Sequence, residues 1–400
     1  MKIAPRARAA LLAGCILSLI SGCAREADPQ SRPGEAAGSS GTTERPDTVP
    51  GVRPWIPKPI YARPAASTSH AGAAVAVTPD PSRAAREAGT AGIDSLPGDS
   101  SVASADSGSG QPPARGLTPA RKRRYVLTPA DSARWPVKGP AALPGAMLPD
   151  NRIVAFYGNP RSTRMGILGQ IPPAEMLSKL ERTAGEWAEA DTTRGVMPAL
   201  HLIVTVAQGK PGSGGKYRLR HSEQTIEPVL GWAEERGWIA FLDVQIGHST
   251  VPAELPHLAK YLERPYVHLA LDPEFAMKHG GVPGRRIGTL DAADVNHAIR
   301  FLADIVDKHR LPPKVLVVHR FTQRMLTNHD QIRLDPRVQV VVDMDGFGAP
   351  YLKEDAYKFF IVPEPVQYTG FKLFFKNDKP MMTPERVLEL FPQPLYIQYQ

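Results

Sequence analysis

The residues of this chain best placed to do chemistry lie at the ends of short apolar runs. The most telling run reads Val267-His268-Leu269-Ala270-Leu271-Asp272-Pro273-Glu274. Period-two alternation puts Val267, Leu269 and Leu271 on one face and His268, Ala270 and Asp272 on the other, with Glu274 joining them if the segment stays extended. Pro273 is compatible with that conformation, although it cannot donate to a strand ladder. Phe241, Asp243 and Gln245 share a face in the same way, as do Val341, Asp343 and Asp345, and His319 follows Val317. Tyr157 ends the earliest run, Lys372 lies inward if Phe371 and Leu373 face out, and Gln398 is near the end of the last. Paired carboxylates suit acid-base work on an acetal: one holds a proton for the leaving oxygen while the other stays ionised to activate water or attack carbon. Neighbouring acids raise the proton affinity of one member, which lets a Glu serve as an acid near neutral pH. The expected roles are Glu274 as acid, Asp272 tuning it, and Asp243 or Asp345 as the second carboxylate. Tyr157, Gln245, His319, Lys372 and Gln398 are the candidate substrate-binding groups.

Eight strand-like runs would carry these residues: 153–157, 200–207, 238–244, 266–271, 314–319, 338–344, 370–375 and 395–399. Helical patterns separate them over 173–190, 222–236, 251–262 and 292–309, with shorter candidates at 324–330, 353–361 and 383–390. Alternation of strand and helix predicts parallel pairing with both sheet faces covered. Eight repeats predict a (β/α)8 TIM-type barrel over 127–400, whose ligands bind where the strands finish. The eighth strand ends the chain, so the usual last helix is expected to be missing, with 128–135 covering that flank. The segment 357–362 is also strand-like, but placing strand seven at 371–375 preserves the alternation.

The barrel with Asp-x-Glu at the end of strand four resembles glycoside-hydrolase barrels broadly, including the kind whose strand-four motif carries the acid. That resemblance implies glycoside hydrolysis and rests on a three-residue motif within a barrel-length region. The long Asp-rich strand-four motif of chitinase-like enzymes is absent. No glutamate ends strand seven, where the two-glutamate retaining clan has its nucleophile; Glu364 could do so only if 357–362 were that strand. A second reading is a non-catalytic carbohydrate or cell-envelope binding protein, with Tyr157, Phe347, Tyr351 or Tyr368 stacking on the ligand and Trp187 and Trp238 kept for packing. A third is a metal-dependent hydrolase drawing ligands from His248, His268, His319, Asp243, Asp272, Glu274 and Asp345. No His-x-His or His-Glu-x-x-His pattern supports it, and no cofactor or metal is expected. Gly209 to Gly215 lacks the Lys-Ser/Thr ending of a phosphate loop.

The start of the chain indicates where the barrel works. Lys2, Arg6 and Arg8 precede an apolar stretch, Leu11 to Leu19, that is too short for a membrane span, and Ser21-Gly22-Cys23 follows. This resembles the bacterial lipoprotein signal, which implies a signal peptide over 1–22 and acylation of Cys23, giving an extracytoplasmic protein anchored to a lipid bilayer. The other of the 2 cysteines, Cys15, falls inside that signal, so no internal disulfide is expected. Residues 23–126 are rich in Ala, Pro, Gly and Ser and predict a disordered tether, with a candidate docking island at 52–61. The net charge of +8 includes basic residues of the signal and the Arg121 to Arg124 cluster. Nucleic acid is not expected as a partner, since no recognition-helix pattern or aromatic-interleaved basic stretch is present. A carbohydrate polymer is.

Overall fold

The computed structural model describes residues 55–61 and 126–400. Cys23, the signal segment and the Arg121 to Arg124 cluster lie outside the described residues. Among the described residues, eight parallel strands close into a (β/α)8 barrel. In chain order they are β1 (Asn151–Gly158), β2 (Gly195–Ala207), β3 (Ile239–Val244), β4 (Val267–Leu271), β5 (Lys314–Arg320), β6 (Val338–Met344), β7 (Tyr368–Leu373) and β8 (Tyr396–Tyr399). Closure comes from β1, which pairs with β8 through Ile153 and Tyr396 and with β2 through Val154 and Pro198. A short antiparallel strand, Arg218–Arg220, returns along the end of β2.

The strands are buried on both faces because both are covered. Every residue of β6, Val338-Gln339-Val340-Val341-Val342-Asp343-Met344, is buried, and β-branched residues of this kind suit a pleated surface packed on each side. The outer faces meet helices with matching stripes. In helix Pro173–Ala190, Met176, Leu180, Ala184 and Trp187 form the buried face, and the Trp187 indole donates to the Tyr399 hydroxyl at 3.0 Å. Helix Ala292–His309 begins with a capping box between Asp291 and Asp294 and buries Val295, Ile299, Leu302 and Val306. Full burial of each such aliphatic side chain contributes about 1.5–3 kcal/mol. Among the described residues, no helix is long and apolar enough to cross a membrane.

The helical pattern over 251–262 resolves into three short pieces, Val251–Glu254, Leu255–Leu258 and Ala259–Leu262. Pro256 lacks the N–H that a continuous helix would need there. The segment 324–330 is not a helix: two single turns, Gln323–Met325 and His329–Gln331, flank a two-residue strand, Leu326–Thr327, which pairs with Leu290–Asp291. Arg320 fills the space beside them, fully buried, donating to the carbonyls of Gln323 and Leu326 and pairing with Glu364. Residues 357–360 belong to helix Pro350–Phe360. Strand seven is therefore the later run, and Glu364 is engaged by Arg320 and His329 on the outer side of the strands.

The helix Pro129–Ala133 does not cover the flank between β8 and β1. Arg134 and the Trp135 indole donate to the carbonyls of Pro363 and Val362, at 2.8 and 3.0 Å, which fixes this segment beside the turn that leads into β7. The open flank is instead narrowed by helix Pro173–Ala190 packing on helix Pro384–Leu388. A groove of about 400 Å³ remains there, lined in part by Lys179, Phe375, Met382 and Tyr399.

The N-terminal ends of the strands are closed by chain that precedes them. The Gln339 amide oxygen accepts from the backbone of Met147 and Leu148, at 2.9 and 3.0 Å, and its nitrogen donates to the Leu148 carbonyl at 2.6 Å. Residues 55–61, expected within a disordered tether, are docked on the same end. Ile60 exchanges backbone hydrogen bonds with Val196 at 2.7 and 2.8 Å, Lys58 donates to the Gly237 carbonyl at 2.9 Å, and Trp55 packs on Tyr266. Gly237 has φ of 67°, and a Cβ there would lie 2.6 Å from the Ile56 carbonyl, so both its backbone conformation and this close approach require glycine. The island at 52–61 carried the signal in its Trp, Ile and Tyr, which surrounding Pro and Ser do not supply.

Candidate active site

At the C-terminal ends of the strands the chain turns sooner than simple alternation predicts. Asp272 caps a single turn, Pro273–Phe275, and its Oδ1 accepts from the Glu274 backbone N–H at 3.1 Å. The turn, not a continued strand, therefore sets the position of Glu274. The other Asp272 oxygen accepts from Gln245 Nε2 at 3.2 Å, while Gln245 Oε1 accepts from Ala207 N–H at 3.0 Å. Gln245 thus links the ends of β2, β3 and β4. Across the mouth, Lys372 Nζ lies 3.0 Å from Asp345 Oδ1 and 3.9 Å from the centre of the Tyr157 ring. Glu274 and Asp345 are partly accessible, while Tyr157, Gln245, Asp272 and Lys372 are buried.

Burial and the neighbouring acids raise two of these carboxyls. Glu274 is pushed up to about 8, first by burial, then by the charges of Asp272 and Asp345, with Lys372 and His319 opposing. Asp272 is raised to about 7 by burial and by Asp243 and Asp345, against His319 and Lys372. Tyr157 is pushed well above its ordinary value by burial and by the charges of Asp243 and Asp272. The mouth therefore holds a proton on Glu274 near neutral pH, beside Asp272 and the Asp345–Lys372 pair.

Two supports hold this arrangement. Loops after β2, β3 and β4 interlock on one side: Tyr217 stacks on His248 at 4.3 Å, His248 Nε2 meets the Gly281 carbonyl at 2.5 Å, and Met277 N–H donates to the Gly247 carbonyl. Residues 209–215 belong to this wall and lead into a strand, which rules out a phosphate loop with its following helix. On the other side the buried Lys353 ammonium donates to the Gly346 and Lys372 carbonyls and pairs with Asp378 at 3.1 Å. Asp378 also accepts from the N–H groups of Gly348 and Phe374, so one ion pair fastens the ends of β6 and β7.

Beneath the mouth the barrel interior is also polar. Asp243, wholly enclosed, lies between two imidazoles, with Oδ2 at 3.5 Å from His201 Nε2 and 3.4 Å from His319 Nε2. His201 Nδ1 meets the Tyr396 hydroxyl at 2.6 Å and Gln398 Nε2 at 3.1 Å. His319 Nδ1 faces Asp343 at 3.2 Å and Asp345 at 3.4 Å. Burial lowers His201 to about 4 despite the charge of Asp243. Burial also opposes charging of His319, but Asp243, Asp343 and Asp345 outweigh it and raise that imidazole well above its ordinary value. Asp243 is raised by burial but pulled lower on balance by the two imidazoles.

Of the residues read from sequence, Glu274, Asp272, Asp345, Tyr157, Gln245 and Lys372 gather at the mouth. Asp243, His319 and Gln398 lie deeper, enclosed by other side chains. His268 is buried, accepting from Val315 N–H at 3.0 Å, and His248 stands on the loop wall, so neither joins the imidazole pair. Tyr368 opens β7 and is at the opposite end from the mouth, while Trp187 and Trp238 are packing residues. Sequence reasoning missed His201 and Tyr396, and gave Asp343 no role. The alternation Ala199-His201-Ile203 in β2 was the available signal.

No protein-family model and no curated protein matches this chain. The chemistry at the mouth must therefore be read from its own residues.

Proposed function

We propose that this barrel is a glycoside-hydrolase-like enzyme acting on a cell-envelope or environmental polysaccharide, anchored outside the cytoplasm through acylated Cys23. The supporting observation is Glu274: a partly accessible carboxyl at the mouth that burial and two neighbouring acids keep protonated near neutral pH. In this reading Glu274 protonates the glycosidic oxygen, Asp272 maintains its proton affinity, and Asp345 is the ionised carboxylate that activates water or attacks carbon. Lys372 and Tyr157 border the sugar and orient its hydroxyls. Asp243 is enclosed by His201 and His319, so it contributes charge and not contact. His201, Asp243 and His319 are wholly enclosed, so a metal held by them would have no contact with a polysaccharide at the mouth.

The test is release of reducing ends by the full chain from a panel of bacterial and plant polysaccharides, with Glu274→Gln alongside. Product from the wild type and little from the variant supports the proposal. A polysaccharide that binds without any product would favour a carbohydrate-binding protein instead.

A further inference from the structure

The interior beneath the mouth contains polar atoms without hydrogen-bond partners. His201 Nε2, His319 Nε2 and both Asp243 carboxylate oxygens are buried and unpaired by hydrogen-bond geometry. Unpaired burial of this kind costs several kcal/mol per group when nothing else occupies the point they share. Their ligand atoms all fall within 4.8 Å of one another. We propose that His201, Asp243 and His319 form a structural binding site for a first-row divalent metal ion, best matched by Zn2+, that ties β2, β3 and β5 together from inside the barrel.

Three features carry this. First, the two imidazole-to-carboxylate separations of 3.5 and 3.4 Å exceed an ordinary N–H···O hydrogen bond, about 2.7–3.2 Å. They agree with the edge of a tetrahedron built on bonds of about 2.0–2.1 Å, which is about 3.3 Å. Second, each imidazole is already oriented through its other nitrogen: His201 Nδ1 by the Tyr396 hydroxyl, His319 Nδ1 by Asp343. A carboxylate or hydroxyl holding Nδ1 while Nε2 points inward is the outer-shell pattern of metal-binding histidines. Third, His319 touches the carboxylates of Asp243, Asp343 and Asp345, and Lys372 supplies one ammonium. A cation seated between the two Nε2 atoms and Asp243 would stand beside this cluster of carboxylates.

Two imidazoles and one carboxylate suit zinc and its first-row neighbours better than calcium or magnesium, which favour all-oxygen shells. Enclosure assigns the ion a structural role and implies loading as the chain folds. The inference makes no use of Glu274 or Asp272, and Asp345 and Lys372 enter it only as neighbours of the three ligands, so it can fail or hold apart from the acid-base assignment at the mouth.

The experiment is metal analysis of the purified full chain from zinc-supplemented culture, with X-ray absorption at the zinc edge. The expected result is close to one ion per chain, with two imidazoles and oxygen, and no sulfur, in its first shell. His201→Gln and Asp243→Asn should lose the ion, while His248→Ala, altered on the loop wall, should retain it. Refolding metal-depleted wild type with Zn2+ at a hundredfold excess over Kd should raise its Tm by roughly 5 °C or more over protein refolded without metal, and should not raise that of the two variants. A wild-type chain that holds no ion after unfolding and refolding in the presence of Zn2+, Fe2+ or Mn2+ overturns the proposal. So does an absorption spectrum without two imidazole ligands, a readout that stands even if a variant fails to fold.

Discussion

Replacing Glu274 by Gln removes a proton donor while keeping the shape of the side chain, and the size of its effect can be worked from the surroundings of this residue. A glutamate at its ordinary value of 4.5 carries a proton in about one molecule in 300 at pH 7; one raised to about 8 carries it in roughly nine of ten. The fold therefore increases the proton-loaded population by more than a hundredfold. If that proton goes to a leaving oxygen, the wild-type rate should hold through neutral pH and fall as pH rises past about 8. Glu274→Gln should cost about 10²–10⁴ in kcat on a polysaccharide and lose the alkaline limb. Aryl glycosides with good leaving groups should suffer much less, since they do not need the acid. Asp272→Asn should move the alkaline limb to lower pH by about 1 unit, because a neighbouring negative charge is removed while the larger effect of burial remains. The assay is initial rate against pH for both substrate types. A wild-type rate still rising at pH 9, or an alkaline limb unchanged in Glu274→Gln, would refute the assignment.

Stability should report the same two carboxyls. Their folded values lie above their ordinary ones, so the stability they contribute is fully present below about pH 4 and is lost as pH rises through about 7–8. Thermal melts should show a smaller decline over that window in Asp272→Asn than in wild type, and an equal decline would count against the raised values. Arg320→Met should lower the free energy of unfolding by about 3 kcal/mol in urea titrations, because it leaves Glu364 without its buried partner; a loss below about 1 kcal/mol would show that the pair contributes little. Trp55→Ala should cost about 2 kcal/mol through its contact with Tyr266, and an unchanged Tm would mean that the docked segment is not part of the folded unit.

The barrel was legible in the sequence because each strand is an apolar run bounded by helical periods, and its register follows from burial on both faces. Lys372 was placed inward only because Phe371 and Leu373 had to face the helices, and the same alternation located Asp243 and Asp345. What alternation could not give was depth. Asp243 and Asp345 both point inward, yet one is walled in by His201 and His319 and the other reaches the mouth. That difference depends on how far each strand runs and on which neighbours lie across the axis, and both are set by closure of the sheet. Glu274 was reached through an extended segment that is in fact a capped turn, so a short-range hydrogen bond replaced the expected pleat. The helix expected over 324–330 failed for a related reason: Arg320 and its carbonyl partners take the volume a helix would fill.

The docked residues 55–61 also have a mechanical meaning. Any tension arriving along the chain from upstream of Trp55 is delivered to the hydrogen bonds between Ile60 and Val196 and to the Lys58 contact on Gly237. These anchor points lie at the starts of β2 and β3, a full strand length from Glu274 and Asp345. Such a pull would be absorbed at the closed base of the barrel, leaving the loops around its opening unloaded.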